Sequence, residues 1–336
     1  MMNLNEYENK IINADCLDVL RKLPDKCVDL VLTDPPYFKI VKNEWDNQWK
    51  DIFEFQTWCG CIADELKRVM KDNASLYWFG DDKTVAYVQT ELDKRFNLLN
   101  SIVWRKSGSW TFKGVNVFRS FTPITERILF YDKGEDKSGL EMVKKVMPNP
   151  FADYLKSELL RKFETVAQVR KFVVNELKFD GAMVNRWFDG DSVITKETWN
   201  LVKEKLGGDY LKREYENLRR EYEELRRPWN NDKKALDVLD FPICRDKGRF
   251  HPTQKPLNLI SYLIERSSNP GAIILDPFSG SGTTAVAAHN LGRRFICIEK
   301  APDYWGASIK RLEEARKQIS IFELPQNKKL TTEGIT

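Results

Sequence analysis

The feature that most restricts what this chain can become is Asp276-Pro277-Phe278-Ser279-Gly280-Ser281-Gly282-Thr283-Thr284, set between a buried apolar run at 272–275 and a helical run from about Thr284 to Leu291. Gly280 and Gly282 allow a tight turn and close approach of a ligand to the backbone. The helix that follows presents unpaired N–H groups at its first turn. Another apolar run, 294–299, ends on Glu299, which stands about 20 residues beyond the turn, where an acidic residue holds ribose hydroxyls in nucleoside-binding sheets. The turn has neither the third glycine of a dinucleotide fingerprint nor the Gly-Lys-Ser/Thr of a phosphate loop. A nucleoside without a phosphate chain therefore fits better than NAD or ATP.

A second segment, Asp34-Pro35-Pro36-Tyr37, follows the strand-like run 28–33. Two prolines hold the path extended and donate no hydrogen bond, so carbonyls there are acceptors without competing amides. Asp34 adds a carboxylate and Tyr37 a flat π face. Such a set suits a planar base with an exocyclic amine: the amine donates to Asp34 and a carbonyl, its lone pair turns toward an electrophile, and Tyr37 stacks on the ring. Neither a covalent nucleophile nor a metal is required.

The rest of the chain alternates in the manner of an α/β protein and then stops doing so. Ile11-Ile12 leading to Asp15, the Leu17/Leu20/Leu23 face, Pro24 and the run 28–33 predict strand, helix, strand. Apolar residues at 55, 58, 59, 62, 66, 69 and 70 predict a covering helix. Runs at 75–79, 98–104 and 126–131 extend the pattern, so residues 1–133 read as a mostly parallel sheet with helical crossovers. From Lys133-Gly134-Glu135-Asp136 strands disappear, and 134–244 reads as a helical insertion.

Within that insertion, Thr165 and Gln168 have capping-box spacing, opening a helix to about Lys178. Asp180-Gly181 turns the chain into a short helix, 182–188. Helix, tight turn, helix is a shape used on DNA, and equally an ordinary helical hairpin. The near-repeats 214–220 and 221–227 predict a two-heptad amphipathic helix ended by Pro228. Its glutamates and arginines stand four apart, as on a self-compensating solvated face, the alternative being arginine rows that track phosphates. Strand character resumes at 272–275. Residues 245–318 then complete the α/β part, with a last helix at 303–317, and 319–336 is a polar tail.

Asp34-Pro-Pro-Tyr37 together with Asp276-Pro-Phe-Ser-Gly-Ser-Gly282 resembles the amino-group DNA methyltransferases that use S-adenosylmethionine, in the permuted beta order where the catalytic motif precedes the cofactor motif. Asn13-Ala14-Asp15-Cys16 is similar to the family segment whose Asp meets the cofactor adenine, and His251-Pro252-Thr253-Gln254-Lys255-Pro256 to the segment lining the methionine end. The likeness covers roughly 10–133 and 245–317, with 134–244 in the position of the target-recognition region. It implies a circularly permuted, Rossmann-like class I methyltransferase sheet with a mainly helical inserted target-recognition domain. In that sheet the strands ending at Asp34 and Asp276 lie side by side.

The resemblance implies that Asp34, Pro35, Pro36 and Tyr37 are catalytic. It also implies that S-adenosylmethionine is held by Asp15, Cys16, Asp34, His251, Thr253, Gln254, Lys255, the residues Asp276, Pro277, Phe278, Ser279, Gly280, Ser281, Gly282, Thr283 and Thr284, and Glu299. Glu299 binds ribose, Phe278 packs near the cofactor and the Lys255 cation meets the methionine carboxylate. His251 is structural or cofactor-lining rather than a general base, because an amine attacking a sulfonium loses its proton after methylation.

The implied reaction is methylation of adenine N6 in double-stranded DNA after base flipping. N4-cytosine enzymes of the family more often begin the motif with Ser. Methylation of RNA or protein glutamine, and a catalytically silent DNA-binding role, are the other readings. For DNA contact the candidates are Arg105, Lys106, Trp110, Lys113 and Arg119, in a basic, aromatic-interleaved Gly/Ser-containing segment, and Asn185, Arg186 and Trp187 on the short helix.

Composition narrows the setting. The chain has 336 residues, 42% apolar and 31% charged, enough for one large α/β domain with an insertion, or for two domains, and too apolar for disorder. No run reaches the roughly 18 apolar residues of a membrane span, and the first residues lack a signal pattern, so a cytoplasmic protein is expected. A net charge of +4 permits a polyanionic partner without announcing one. Cys16, Cys27, Cys59, Cys61, Cys244 and Cys297 read as reduced core thiols rather than a zinc site. Nothing resembles a fused nuclease, so a cognate restriction endonuclease would be a separate protein. A homodimer is compatible with the sequence.

Overall fold

A computed structural model describes residues 4–40, 42–107, 123–134, 149–190, 192–230, 235–244 and 253–322. The chain divides into two compact units, one of Met1–Ser138 with Trp229–Thr336, the other of Gly139–Pro228.

The first unit is built on an eight-stranded sheet. Its elements in chain order begin with β1 (Lys10–Asn13), α1 (Cys16–Leu20), β2 (Val28–Thr33), α2 (Ile52–Val69), β3 (Met70–Gly80), α3 (Val85–Leu92), β4 (Asn97–Ser107) and β5 (Thr125–Asp132). α2 forms where the apolar spacing predicts it, with Asp51 capping the Phe53 and Glu54 amides at 3.0 and 2.9 Å and with Phe55, Cys59, Ile62, Ala63 and Leu66 buried along one face. The second unit intervenes with α4 (Pro150–Phe163), α5 (Val166–Asn175), α6 (Met183–Phe188), α7 (Lys196–Leu206) and α8 (Tyr215–Leu225). The sheet unit then resumes with β6 (Val238–Pro242), α9 (Leu257–Ser267), β7 (Ile273–Asp276), α10 (Thr283–Asn290), β8 (Arg294–Glu299) and α11 (Pro302–Phe322).

Strand order is β1-β8-β7-β2-β3-β5-β4-β6. β1 to β3 with β7 and β8 are mutually parallel, as expected, and apolar side chains from both faces of the sheet enter two cores. The permutation is visible in the register: Leu30 pairs with Ile274 and Val31 with Leu275, so the strands ending at Asp34 and Asp276 are immediate neighbours.

Three expectations are corrected. β5 runs antiparallel to both β3 and β4, so the sheet is mixed rather than mostly parallel at that end. The strand-free stretch ends earlier than residue 244, because Val238–Pro242 pairs with Val103–Ser107 and extends the sheet as β6. The last helix continues to Phe322, into the segment read as a polar tail.

Among the cysteines all six are free thiols, but only Cys16, Cys27, Cys59 and Cys297 are buried. Cys61 is exposed and Cys244 half-buried. Burial raises the thiol pKa of Cys16 to about 12 and of Cys27 to about 11, keeping both protonated at neutral pH. No helix among the described residues is long and apolar enough to cross a membrane.

The helical unit has its own core, with Phe151, Leu155, Val169, Val173, Val184, Trp187, Trp199, Val202 and Leu218 packed together. The Thr165–Gln168 capping box forms at the start of α5. α4 and α7 were not anticipated from the sequence; Asn149 and Thr195 cap them.

Candidate active site

The carboxyl ends of β1, β2, β7 and β8 open onto one cavity of about 630 Å³, within the range of sites that enclose a small molecule. Every cofactor residue expected from the sequence and placed among the described residues lines it, except Gly282. His251 lies outside the described residues.

At one end the site is made of backbone. Gly282, with φ +72°, ends the turn and caps α10 in a left-handed conformation. A Cβ there would come within 2.9 Å of the Ser308 Cβ, so only glycine fits. Asp276 accepts from the Phe278 amide at 3.0 Å and from the Thr284 hydroxyl at 2.5 Å. Burial, more than these donors offset, lifts its pKa to about 7. Glu299 accepts from the Gly280 and Ala301 amides, each at 2.8 Å, which ties the glycine turn to the end of β8; burial raises its pKa as well. Asn13 on β1 donates to the Glu299 and Lys300 carbonyls at 2.9 and 3.1 Å, joining the ends of two paired strands. Asp15 caps α1 through the Leu17 amide at 3.0 Å and meets Lys300 at 3.1 Å. Phe278 packs on Trp58, ring centroids 5.5 Å apart.

At the other end the site is made of side chains. Asp34, just past β2, accepts from the Tyr37 hydroxyl through one oxygen and from Lys255 through the other at 2.7 Å. Lys255 also reaches the Tyr37 hydroxyl at 3.2 Å and Glu126 at 3.3 Å, and Lys106 pairs with Glu126 at 2.6 Å. Burial raises the pKa of Asp34, against the pull of Lys255. Burial by itself would neutralise Lys255, but Asp34 and Glu126 outweigh it and hold the ammonium charged. The two lysines likewise keep Glu126 ionised despite its burial.

Lys255 lines the cavity paired with Asp34 and Glu126, two buried carboxylates that require a counter-charge. Lys106 supplies a second such charge inside the cavity, paired with Glu126. Arg105 pairs with Asp240 on β6, at 2.6 Å for its second contact, on an exposed sheet edge. Trp187 is 4% exposed and belongs to the core of the helical unit, so it offers no face to DNA. Asn185 is exposed and accepts from Arg170 at 2.8 Å; Arg186 is exposed. Trp110, Lys113 and Arg119 lie outside the described residues.

Sequence reasoning missed Trp58, Asp46 and Glu126, all of which line the cavity. Their signals are weak: a tryptophan on a helical face, an acid in a loop and an acid at the start of a strand.

A strand–glycine turn–helix nucleoside cradle beside an Asp-Pro-Pro-Tyr segment on the adjacent parallel strand defines an α/β methyltransferase acting on amino groups. The chain belongs to the DNA methylase family, enzymes that methylate DNA from S-adenosylmethionine; the family's sequence profile matches residues 28–310. It is 30% identical over 332 residues to the DNA adenine methyltransferase YhdJ of Escherichia coli (strain K12), spanning 97% of this chain and 90% of that one. With the type II methyltransferase M.HinfI of Haemophilus influenzae it shares 24% identity over 348 residues, 96% of this chain and 73% of the relative. Its fold is that of the cytosine-N4-specific PvuII DNA methyltransferase, with TM-score 0.53, 14% identity and 92% of each chain covered. TTHA0409 of Thermus thermophilus also shares it, with TM-score 0.50, 19% identity, and 91% of this chain and 94% of that one covered.

Proposed function

We propose that this chain is a site-specific, cytoplasmic DNA methyltransferase that transfers the methyl group of S-adenosylmethionine to adenine N6 in double-stranded DNA, on a base flipped out of the helix. The observation that carries the reading is the continuity of one cavity from Glu299 and the glycine turn to Asp34, Tyr37 and Lys255. The adenine assignment rests on Asp34 at the head of the motif and on the likeness to YhdJ. A cognate restriction endonuclease as a separate protein and a dimer of this chain are both compatible with the reading.

The residues present suit the cofactor. Glu299 keeps free lone pairs on both oxygens after accepting two amides, enough for ribose hydroxyls. The buried Gln254 Oε1 has no hydrogen-bond partner among the described residues, an acceptor matched to an ammonium. When bound, S-adenosylmethionine supplies an electrophilic methyl group on a sulfonium.

The chain's own part is positional. Asp34 and the Pro35 carbonyl region accept the two amine protons of the target base, which turns the nitrogen lone pair toward the methyl carbon. Tyr37, released from Asp34 as the amine takes its place, stacks on the extruded ring. A methyl donor held at the glycine-turn end would present its electrophilic carbon to that lone pair, and Asp34, the carboxylate at this end of the cavity, would accept the proton that the methylated amine gives up. Lys255 and Glu126 hold the charge around Asp34 balanced throughout.

Expression in a host that lacks DNA methylation, followed by genomic sequencing that reports modified bases, tests this directly. N6-methyladenine confined to one short motif is expected. N4-methylcytosine would overturn the base assignment, and unmodified DNA alongside a cofactor-binding protein would overturn the DNA reading.

A further inference from the structure

Asp46, nine residues after Tyr37, is fully buried, and its carboxylate faces back toward the motif. One oxygen accepts from the Tyr37 and Phe38 amides at 2.7 and 2.9 Å, and the other accepts from the Ile40 amide at 2.6 Å. The Lys39 amide donates to the Asp46 carbonyl at 2.7 Å. Four successive amides thus converge on one residue.

Convergence of this kind needs an unusual backbone path. Phe38 and Lys39 both lie in the left-handed region, φ +68° and +60°, a conformation that side chains with a Cβ avoid and that persists only where surrounding contacts over-determine it. Successive amides curled in this way form a concavity for an anion. Here the chain fills it with its own carboxylate. An amide side chain could not do the same, since its NH2 would confront N–H groups that also donate. The loop is further anchored where Phe38 stacks on Phe55 of α2, centroids 5.6 Å apart.

The group held most directly is Tyr37: its amide is fixed by Asp46 while its hydroxyl meets Asp34. We propose that Asp46 is the positioning residue of the target-base end of the cavity, its carboxylate fixing the Tyr37–Ile40 turn and through it the plane of the Tyr37 ring. The proposal rests on the reading of that end as the site of an extruded adenine.

The test compares wild type, Asp46→Asn, Tyr37→Ala and the double variant in single-turnover methyl transfer to unmethylated duplex DNA. Hydrogen exchange is followed at amides 37–40. Asp46→Asn is expected to lower the transfer rate on the order of 10²-fold, the scale of a misplaced reacting group, with DNA KM and cofactor Kd changed less than about threefold. Exchange at residues 37–40 should quicken while that of α2 stays unchanged. In the Tyr37→Ala background the same substitution should cost less than about threefold, because it acts through that ring. A wild-type rate in Asp46→Asn, or effects that multiply in the double variant, would overturn the proposal. Should Asp46→Asn fail to fold, Asp46→Glu keeps the charge but moves it by one methylene. It should lose about tenfold in rate with faster exchange at 37–40, and a wild-type rate there also overturns the proposal. If the wild-type protein transfers no methyl group to DNA, the functional reading fails on its own. The exchange data then decide the clamp alone: lost protection at 37–40 supports it and unchanged protection overturns it.

Discussion

The two ends of the cavity solve the same problem, a buried carboxylate, by opposite means. Glu299 is held by two amides, and Asp276 by an amide and the first-turn hydroxyl of α10. Asp34 is held by a phenol and an ammonium, with Glu126 and Lys106 completing an alternating array. Backbone amides cannot swing away, so the first end is preorganised for whatever it binds. Side-chain partners can exchange, and at Asp34 they must if an amine is to take the place of the Tyr37 hydroxyl. A fixed end for the group that is always the same and an exchangeable end for the one that arrives from DNA follow from this division.

The sharpest way to break the comparison is Asp34→Ala. Methyl transfer should fall by at least about 10³-fold, since the variant loses the acceptor that orients the amine. Cofactor affinity, set at the backbone-built end, should change less than about threefold by titration calorimetry. A comparable loss of cofactor affinity would show that the two ends are not separable. Next in size is Lys255→Met. It strands Asp34 and Glu126 in a buried site without their shared cation, a loss of about 3–5 kcal/mol when a buried pair is broken, read as a lowered midpoint in denaturant unfolding. A midpoint like that of wild type would mean that water already screens the array.

How far the sequence disclosed these two ends follows from the same difference. The backbone-built end was readable because glycine and proline mark special conformations locally: Gly282 at φ +72° is required by geometry within a few residues. The partners of Asp34 were only half visible. Lys255 lay in a recognisable segment, but that its ammonium meets Asp34, 221 positions away, depends on the sheet bringing α9's leading edge against β2. Glu126 arrives on β5, whose antiparallel insertion between β3 and β4 nothing in its own residues announced. In the helical unit the capping box at Thr165 was plain and formed as read. Trp187 could not be sorted into core or surface by periodicity over the six residues of α6.

A smaller effect sharpens the fixed end. Asp276 has a folded-state pKa of about 7 against an ordinary 3.8. Between those values the folded chain keeps a proton that the unfolded chain has lost. Stability therefore falls as pH rises through that window and levels off above about 7, with a slope of up to about 1.4 kcal/mol per pH unit from this group. Asp276→Asn, which stays neutral at every pH, should flatten that part of the profile in urea unfolding. An unchanged slope between about pH 4 and 7 would assign the pH dependence to other groups.

The smallest effect separates charge from geometry at the same end. Glu299→Gln keeps the shape of the side chain but can offer only one carbonyl oxygen to the Gly280 and Ala301 amides, leaving the other amide opposite an NH2 group. A loss of about 1–3 kcal/mol is expected for the amide left unsatisfied, along with roughly tenfold weaker cofactor binding, since about 1.4 kcal/mol is tenfold. Asp34→Ala should combine with it multiplicatively in cofactor affinity, because distant sites without shared partners are additive in free energy. Coupling between the two would mean that the exchangeable end reaches into the fixed one. The Asp276–Asp34 repulsion that already contributes to raising the pKa of Asp276 would be the first place to look for the connection.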